Sequence, residues 1–348
     1  MIQMRMIHES FFQRRKLAPI LIVAWIALLA GVNAGVALGR FDQYLLGVMT
    51  MAAINVILTA SLNLINGFTG QFSIGHAGFM GIGAYISALL SLYAHWPFWL
   101  VLVAGALAAA MAGLLIGLPT LRLRGDYLAI ATLGFGEIIR VVILNIPFTG
   151  GPRGLPGIPN LTNFFVAEGV MVVSLALLYN LVNSAHGRAF LAVREDEIAA
   201  ETMGINTTMY KVIAFTIGAG FAGVAGGLFA HHLMFINPAS FSFLKSIEIL
   251  VMLVLGGLGS LTGSVVAAVG LTFLPEYLRQ FADYRMVLYS ALLIVLMLTR
   301  PQGLFGKKEL TDLLRFGGGN NLGNPGDQGP DKGLWRTNGG VQGKYRGK

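Results

Sequence analysis

Long stretches without acidic or basic side chains constrain this chain more than any other feature of its sequence. From Gln43 to Leu121 there is no Asp, Glu, Lys or Arg, and a second such run extends from Val212 to Leu244. A helix that crosses a bilayer needs about 20 predominantly apolar residues, so the first run alone has room for several crossings. Only 11% of the residues are charged, whereas a typical soluble domain has about 25%. We therefore predict an all-α integral membrane protein.

Hydropathy and helix-breaking residues predict about ten transmembrane helices. Their approximate boundaries are residues 17–38, 44–65, 72–94, 97–119, 127–146, 164–183, 210–232, 244–260, 262–281 and 285–299. The third and eighth segments are dense in glycine, so each is either a full crossing or a broken, re-entrant segment. Helices 2–5 and 7–10 each begin with a long uncharged stretch and pass through a glycine-rich segment (67–83 and 256–263), which suggests an inverted repeat.

The distribution of Lys and Arg predicts the orientation in the membrane. If the N-terminus is cytoplasmic, most basic residues fall in inner loops, as the positive-inside rule requires, and the C-terminus is cytoplasmic as well. We predict an N-terminal cytoplasmic segment 1–16, a transmembrane domain 17–305 with a cytoplasmic loop 184–209, and a cytoplasmic tail 306–348. From about residue 317 the tail is rich in Gly, Asn and Pro and should be disordered, because it cannot bury enough apolar area to fold.

Polar residues and glycines interrupt the first uncharged run between Asn66 and Tyr85. Irregular backbone within a membrane persists only against protein or a water-filled cavity. The segment therefore either lines a translocation path or forms a kinked, tightly packed helix. A path through this segment would use Asn66, Gly70, Gln71, Ser73, Gly75 and His76.

Glu137 and Arg140 stand three residues apart within the predicted fifth helix and share one face. Charges in a span cost about 2.5–3.5 kcal/mol each on insertion scales, so they normally pair or face a polar cavity. Two interpretations stay open, a structural ion pair and a contact with a polar part of a substrate. Glycine pairs four residues apart, such as Gly223 and Gly227, are expected to allow close helix packing.

The loop between the predicted sixth and seventh helices carries the longest charged stretch on the cytoplasmic side. Its apolar and charged residues separate onto two faces of a short amphipathic helix, which suits either a docking helix for a soluble partner or a solvated connection. The residues that would make such a docking contact are Gly187, Arg188, Arg194, Glu195, Asp196, Glu197, Ile198, Ala199 and Gly204.

Several chemistries have no visible machinery in the sequence. There are no cysteines, no Walker-type phosphate loop and no hydrolase or zinc-protease motif, so we expect no enzymatic activity, no metal and no bound cofactor. The net charge of +8 lies mostly in loops and tails, where it sets orientation, so no nucleic-acid partner is expected.

Five runs of sequence carry a family resemblance. They are NLINGFTGQFSIGHAGFMGIGAY, LRLRGDYLAIATLGFGEIIR, TGGPRGLPGIP, GRAFLAVREDEIAAETMGIN and LVLGGLGSLTGSVVAA. In this order they resemble the membrane permeases of bacterial branched-chain amino-acid ABC transporters and, within that family, the M-type membrane subunits of Liv systems. The resemblance spreads over most of residues 44–305 and does not include the tail.

The resemblance implies a multi-pass permease subunit in the bacterial inner membrane. Its expected partners are the lipid bilayer, a homologous second permease subunit, two cytoplasmic ATPase subunits that bind the ATP, and a periplasmic amino-acid-binding protein. It also implies that residues 187–206 form the cytoplasmic coupling segment. The alternatives are a urea or amide ABC permease of the same superfamily, a secondary carrier not coupled to ATP, and a membrane-embedded enzyme.

Overall fold

The computed structural model of the chain describes residues 42–121, 123, 125–281 and 294. Several predicted segments lie outside the described residues: the N-terminal segment 1–16, the first span 17–38, the tenth span 285–299 and the tail 306–348.

The described part of the chain is almost entirely helical. Its α-helices are α1 (Gln43–Leu62), α2 (His76–Tyr93), α3 (Phe98–Thr120), α4 (Asp126–Asn145), α5 (Phe164–Asn183), α6 (Ala185–Glu195), α7 (Glu197–Thr202), α8 (Thr207–Leu233), α9 (Phe243–Gly256) and α10 (Leu261–Tyr277). A π-helical turn (Asn63–Phe68) continues α1, and single 3₁₀ turns cover Pro147–Thr149, Gly151–Arg153, Pro238–Phe241 and Leu278–Phe281. Two-residue strands, β1 (Leu155–Pro156) and β2 (Phe235–Ile236), pair antiparallel.

Six of these helices are long and apolar enough to cross a membrane: α1 with its π turn, α2, α3, α4, α5 and α8. They correspond to the predicted second to seventh spans and confirm an all-α membrane protein. The described residues do not confirm a count of about ten. In place of the predicted segments 244–260 and 262–281 lie two shorter helices, α9 and α10. A turn at Gly257 and Gly259 separates them. These glycines have positive φ angles of 106° and 86°, which are incompatible with a continuous right-handed helix.

Helix α8 lies at the centre of the packing. It contacts α2 and α3 closely, while α1 packs against α5, α9 and α10. Glycines allow the closest approaches: a Cβ on Gly223 would lie 2.6 Å from the Cβ of Ala109 in α3. More than half of the residues in α1, α2 and α8 are buried, whereas fewer than a third are buried in α4 and α5. The outer faces of α3, α4 and α5 are therefore left for lipid or another protein.

The loops meet at two opposite ends of the helices. At one end, the backbone N–H of Ile158 donates to the carbonyl of Met234, and β1 pairs with β2. At the other end lie the π turn, α6, α7 and the turn between α9 and α10. Antiparallel spans joined by short connections produce this alternation, and it places the long charged loop opposite the Pro/Gly-rich one.

Candidate functional site

The glycine-rich segment after α1 is a backbone break held by its own side chains. The last turn of α1 widens into the π turn, and residues 69–75 then run back beside it. The Asn66 amide nitrogen donates to the carbonyl of Ser73 at 3.1 Å, and its side-chain oxygen accepts from the Ser73 N–H at 3.2 Å. The Gln71 N–H donates to the carbonyl of Ile65. A π turn of this kind frequently marks a functional position in a helix.

The polar side chains of this break are buried, and some of their atoms have no partner in the described structure. The Gln71 amide nitrogen donates to the carbonyl of Lys211 at 3.2 Å, and Nε2 of His76 lies 2.8 Å from the Ser61 hydroxyl. Gln71 Oε1, Ser73 Oγ and His76 Nδ1 are left unpaired. Buried polar atoms normally find partners, so unpaired ones concentrated in six consecutive residues point to a segment with a second arrangement or a missing neighbour.

Helix α2 begins against the middle of α4. Gly75 lies at the start of α2, and a Cβ there would collide with the backbone of Thr132. The Ile74 N–H donates to the Thr132 hydroxyl at 3.1 Å, and the Ala77 N–H donates to the hydroxyl of Ser246 in α9 at 3.1 Å. Of the first N–H groups of α2, which have no partner within their own helix, that of Ala77 is bound by α9, and the Ile74 N–H just before the helix is bound by α4.

Helix α9 begins at the same place. The N–H of Phe243, its first residue, donates to Glu137 Oε1 at 3.0 Å. The other carboxylate oxygen of Glu137 accepts from Arg140 Nε at 2.7 Å. The ion pair is therefore formed, and Glu137, but not Arg140, also lines a cleft, so the geometry is compatible with both interpretations of the Glu137 charge.

A narrow cleft, too tight in this conformation to hold a water molecule, lies between the starts of α2 and α9 and the middle of α4. Its lining consists of Ile74, Gly75, Gly78, Leu133, Gly136, Glu137, Phe241, Ser242, Phe243 and Ser246. Helix starts carry a partial positive charge, so the cleft combines two such ends, one carboxylate and aromatic and aliphatic walls. Of the predicted path residues, Gly75 and Glu137 line it; Asn66, Gly70, Gln71, Ser73 and His76 shape the break that leads into α2.

The charged loop 184–209 forms two helices where the sequence predicted one. Asp196 divides them: its backbone is extended, and its carboxylate accepts from the N–H groups of Ile198 and Ala199 at 2.9 and 3.0 Å, which caps α7. Gly204 ends the loop with a φ of +83°, as expected for a left-handed cap. Gly187 lies within α6 and packs against the backbone of Val182.

The charged side chains of this loop point in different directions. Arg194 turns inward, and its Nη1 donates to the carbonyl of Gly67 at 2.8 Å. Glu197 pairs with Lys211 of α8 at 2.6 Å. Ile198 is 67% exposed and Met203 is 82% exposed. Arg188, Glu195 and Ala199 are exposed as well. An exposed apolar pair on a charged loop is the surface that a docking segment requires.

Sequence reasoning missed several polar residues that the fold brings together. Asn63, in the π turn, donates to the carbonyl of Ser260 and to the hydroxyl of Ser264, both at 2.9 Å, and accepts from the Gly259 N–H at 2.8 Å. Asn55 lies inside α1 within 3.4 Å of the Lys245 ammonium of α9. The only available signal was an amide in an apolar run, which does not reveal its partner.

Among the described residues, no three His, Asp or Glu side chains converge as metal ligands would.

Comparison with known proteins identifies the family. The model of the family described as "Branched-chain amino acid transport system / permease component" matches residues 44–298. The high-affinity branched-chain amino acid transport system permease protein LivM is similar: that of Salmonella typhimurium is 42% identical, and that of Escherichia coli 41%, over 74% of this chain and 69% of each relative. The permease protein LivH of Salmonella typhimurium is 26% identical over 78% of this chain and 97% of its own length.

No solved structure gives a match. The family match nevertheless covers every element that builds the cleft and the charged loop 184–209. The chain therefore belongs to the family of permease components of branched-chain amino acid transport systems.

Proposed function

We propose that this chain is the membrane-spanning permease subunit of an ABC importer that carries branched-chain amino acids across the bacterial inner membrane. The observation that carries the proposal is the meeting of two helix starts and an ion pair at the middle of α4. The names of its relatives supply the substrate class. Energy comes from separate ATPase subunits, because the chain has no phosphate loop of its own.

The cleft suits a zwitterion with an aliphatic side chain. The starts of α2 and α9 favour a carboxylate, Glu137 favours an ammonium group, and Leu133, Phe241 and Phe243 offer apolar contact. The cleft is open to one side, but in this conformation it has no space even for a water molecule, so a substrate would enter only when α2, α4 and α9 move apart. We place the homologous second permease subunit over this open side, where α4 exposes most of its surface, so that the translocation path runs between the two subunits.

The helix contacts support the inverted repeat of predicted helices 2–5 and 7–10. Predicted helices 2–5 correspond to α1–α4, and predicted helices 7–9 correspond to α8–α10. Helix α8 packs against α2 and α3, and α1 packs correspondingly against α9 and α10. Both α2 and α9 follow a non-helical segment and begin beside α4. In this arrangement α2 corresponds to α9, so the glycine-rich segments 67–83 and 256–263 do not correspond to each other. The repeat would place two half-helices around one central site, as in many transporters.

The cytoplasmic loop is the proposed ATPase contact. Ile198 and Met203 are its exposed apolar side chains, and Glu195 and Asp196, which precede them in the chain, are exposed as well. A periplasmic binding protein delivers the substrate at the opposite end, next to β1 and β2. Both termini lie in the cytoplasm, and the chain itself holds no cofactor.

Copurification with an Ile198 variant pair tests this function. The wild-type chain, extracted from its native membrane, should bring down two ATPase subunits and a second permease, and the reconstituted complex should take up labelled leucine only with ATP. Ile198→Asp introduces a charge into the apolar docking surface and should abolish ATPase association, whereas Ile198→Leu should retain it. Leucine uptake by the chain without any ATPase would refute the proposal in favour of a secondary carrier.

A further inference from the structure

Arg194 departs from the pattern expected of a docking residue. It stands at the end of α6, yet its side chain is only 20% exposed and points away from the surface formed by Ile198. Its guanidinium donates to the carbonyl of Gly67 at 2.8 Å and pairs with Glu195 at 2.8 Å. One side chain thus joins the cytoplasmic loop to the π turn.

Two glycines from separate backbone breaks enclose this side chain. A Cβ on Gly70 would lie 2.8 Å from Arg194 Cγ, and a Cβ on Gly259 would lie 2.7 Å from Arg194 Nη1. Both glycines have positive φ angles, 70° and 86°, which other residues rarely adopt. The break before α2 therefore leaves room for the aliphatic part of Arg194, and the break between α9 and α10 leaves room for its guanidinium.

The two breaks are also joined to each other. Asn63 lies in the same π turn as Gly67, is completely buried, and binds the backbone of Gly259 and Ser260. A continuous chain of polar contacts runs from α6 through Arg194 to the π turn, and from Asn63 to the break between α9 and α10. Because α2 and α9 both border the cleft, this chain of contacts reaches two of the three helices that line it.

We propose that Arg194 is a positioning residue that transmits movement of the cytoplasmic loop to the two backbone breaks, and thereby couples ATP hydrolysis to the cleft. This inference rests on the proposed function. Arg194 does not bind the ATPase: it holds the loop and the breaks together so that they move as one unit. Both terminal nitrogens of the guanidinium are required, because Nη1 donates to the Gly67 carbonyl while Nη2 donates to Glu195.

The test measures leucine transported per ATP hydrolysed in proteoliposomes containing the whole complex. Arg194→Gln removes the charge and cannot reach Gly67. We expect ATPase association and ATP hydrolysis to persist while transport per ATP falls about tenfold or more, the range expected when a hydrogen bond to a charged group is lost. Arg194→Lys keeps the charge but has only one terminal nitrogen, so it should give an intermediate ratio of leucine transported to ATP hydrolysed. Arg279→Gln, whose exposed side chain pairs with Glu276 three residues before it, serves as the control for removing one guanidinium.

Each outcome separates this inference from the function on which it rests. A merely structural Arg194 would lower the amount of assembled complex and leave transport per ATP unchanged, which would overturn the inference. Loss of the ATPases from the Arg194→Gln complex would make Arg194 a docking residue and would overturn it too. If Arg194→Gln does not fold, a wild-type ratio of transport to ATP hydrolysis in Arg194→Lys would overturn the inference in its place. A wild-type chain that never couples uptake to ATP contradicts the proposed function itself.

Discussion

Replacing Asn63 by Ala should destabilise the isolated chain strongly, although the side chain is small. Asn63 makes three hydrogen bonds to the segment around Gly259, which lies about 200 residues away in the sequence. It is completely buried, so water cannot replace these bonds. The substitution therefore removes a polar link between the π turn and the turn that joins α9 to α10.

The size of the effect follows from the partners that remain. Side-chain hydrogen bonds between membrane helices contribute ~0.6 kcal/mol each on average, so three amount to ~2 kcal/mol. The Ser260 carbonyl keeps the hydroxyl of Ser264 as a donor, but the Gly259 N–H loses its side-chain acceptor. An unpaired buried N–H adds ~1 kcal/mol or more. We expect the free energy of unfolding to fall by about 3 kcal/mol.

Equilibrium unfolding in mixed detergent micelles measures this difference. The matched control is Asn145→Ala: Asn145 is exposed and bonds only to the carbonyl of Val141 within its own helix, so we expect a change below ~0.5 kcal/mol. If Asn63→Ala and Asn145→Ala both have the free energy of unfolding of the wild type, Asn63 does not link the two breaks as described.

Two further predictions concern helix packing and the cleft. Gly223→Ala would place a methyl group 2.6 Å from the Cβ of Ala109, so it should destabilise the chain by about 1–2 kcal/mol in the same unfolding assay. The control is Gly134→Ala, whose methyl group would meet nothing within 4 Å and should stabilise the chain by up to ~1 kcal/mol. Glu137→Gln keeps an oxygen for the Phe243 N–H but removes the charge facing the cleft, so initial leucine uptake by the assembled complex should fall about tenfold or more; an unchanged rate would exclude Glu137 from the path.

Much of the architecture could be predicted from the sequence because hydropathy is a local property. The second to seventh spans correspond to described helices, and the break after Asn66 was recognisable from glycines and amides in an uncharged run. The spacing of Glu137 and Arg140 along one helix made an ion pair one of two open interpretations, and the two side chains do pair. Each of these inferences depends only on residues close together in the chain.

The arrangement of the site could not be predicted in the same way. The predicted segment 244–260 begins where α9 begins but extends four residues past its end at Gly256, because an apolar run does not show that Gly257 adopts a positive φ that stops the helix. Nothing local distinguishes an arginine that faces an ATPase from one that turns inward, and Arg194 was placed with the docking residues. The same holds for Asn63, whose partners lie in a different part of the sequence.

The sequence by itself determined that this protein resides in a membrane, where its long apolar segments begin and end, and which family it resembles. Only the tertiary structure decided that the starts of α2 and α9 meet at Glu137 and that Arg194 lies between two backbone breaks. The physical reason is that membrane insertion sums the transfer free energies of consecutive residues. Contacts between buried polar groups instead depend on how distant helices approach each other, which composition and spacing do not specify.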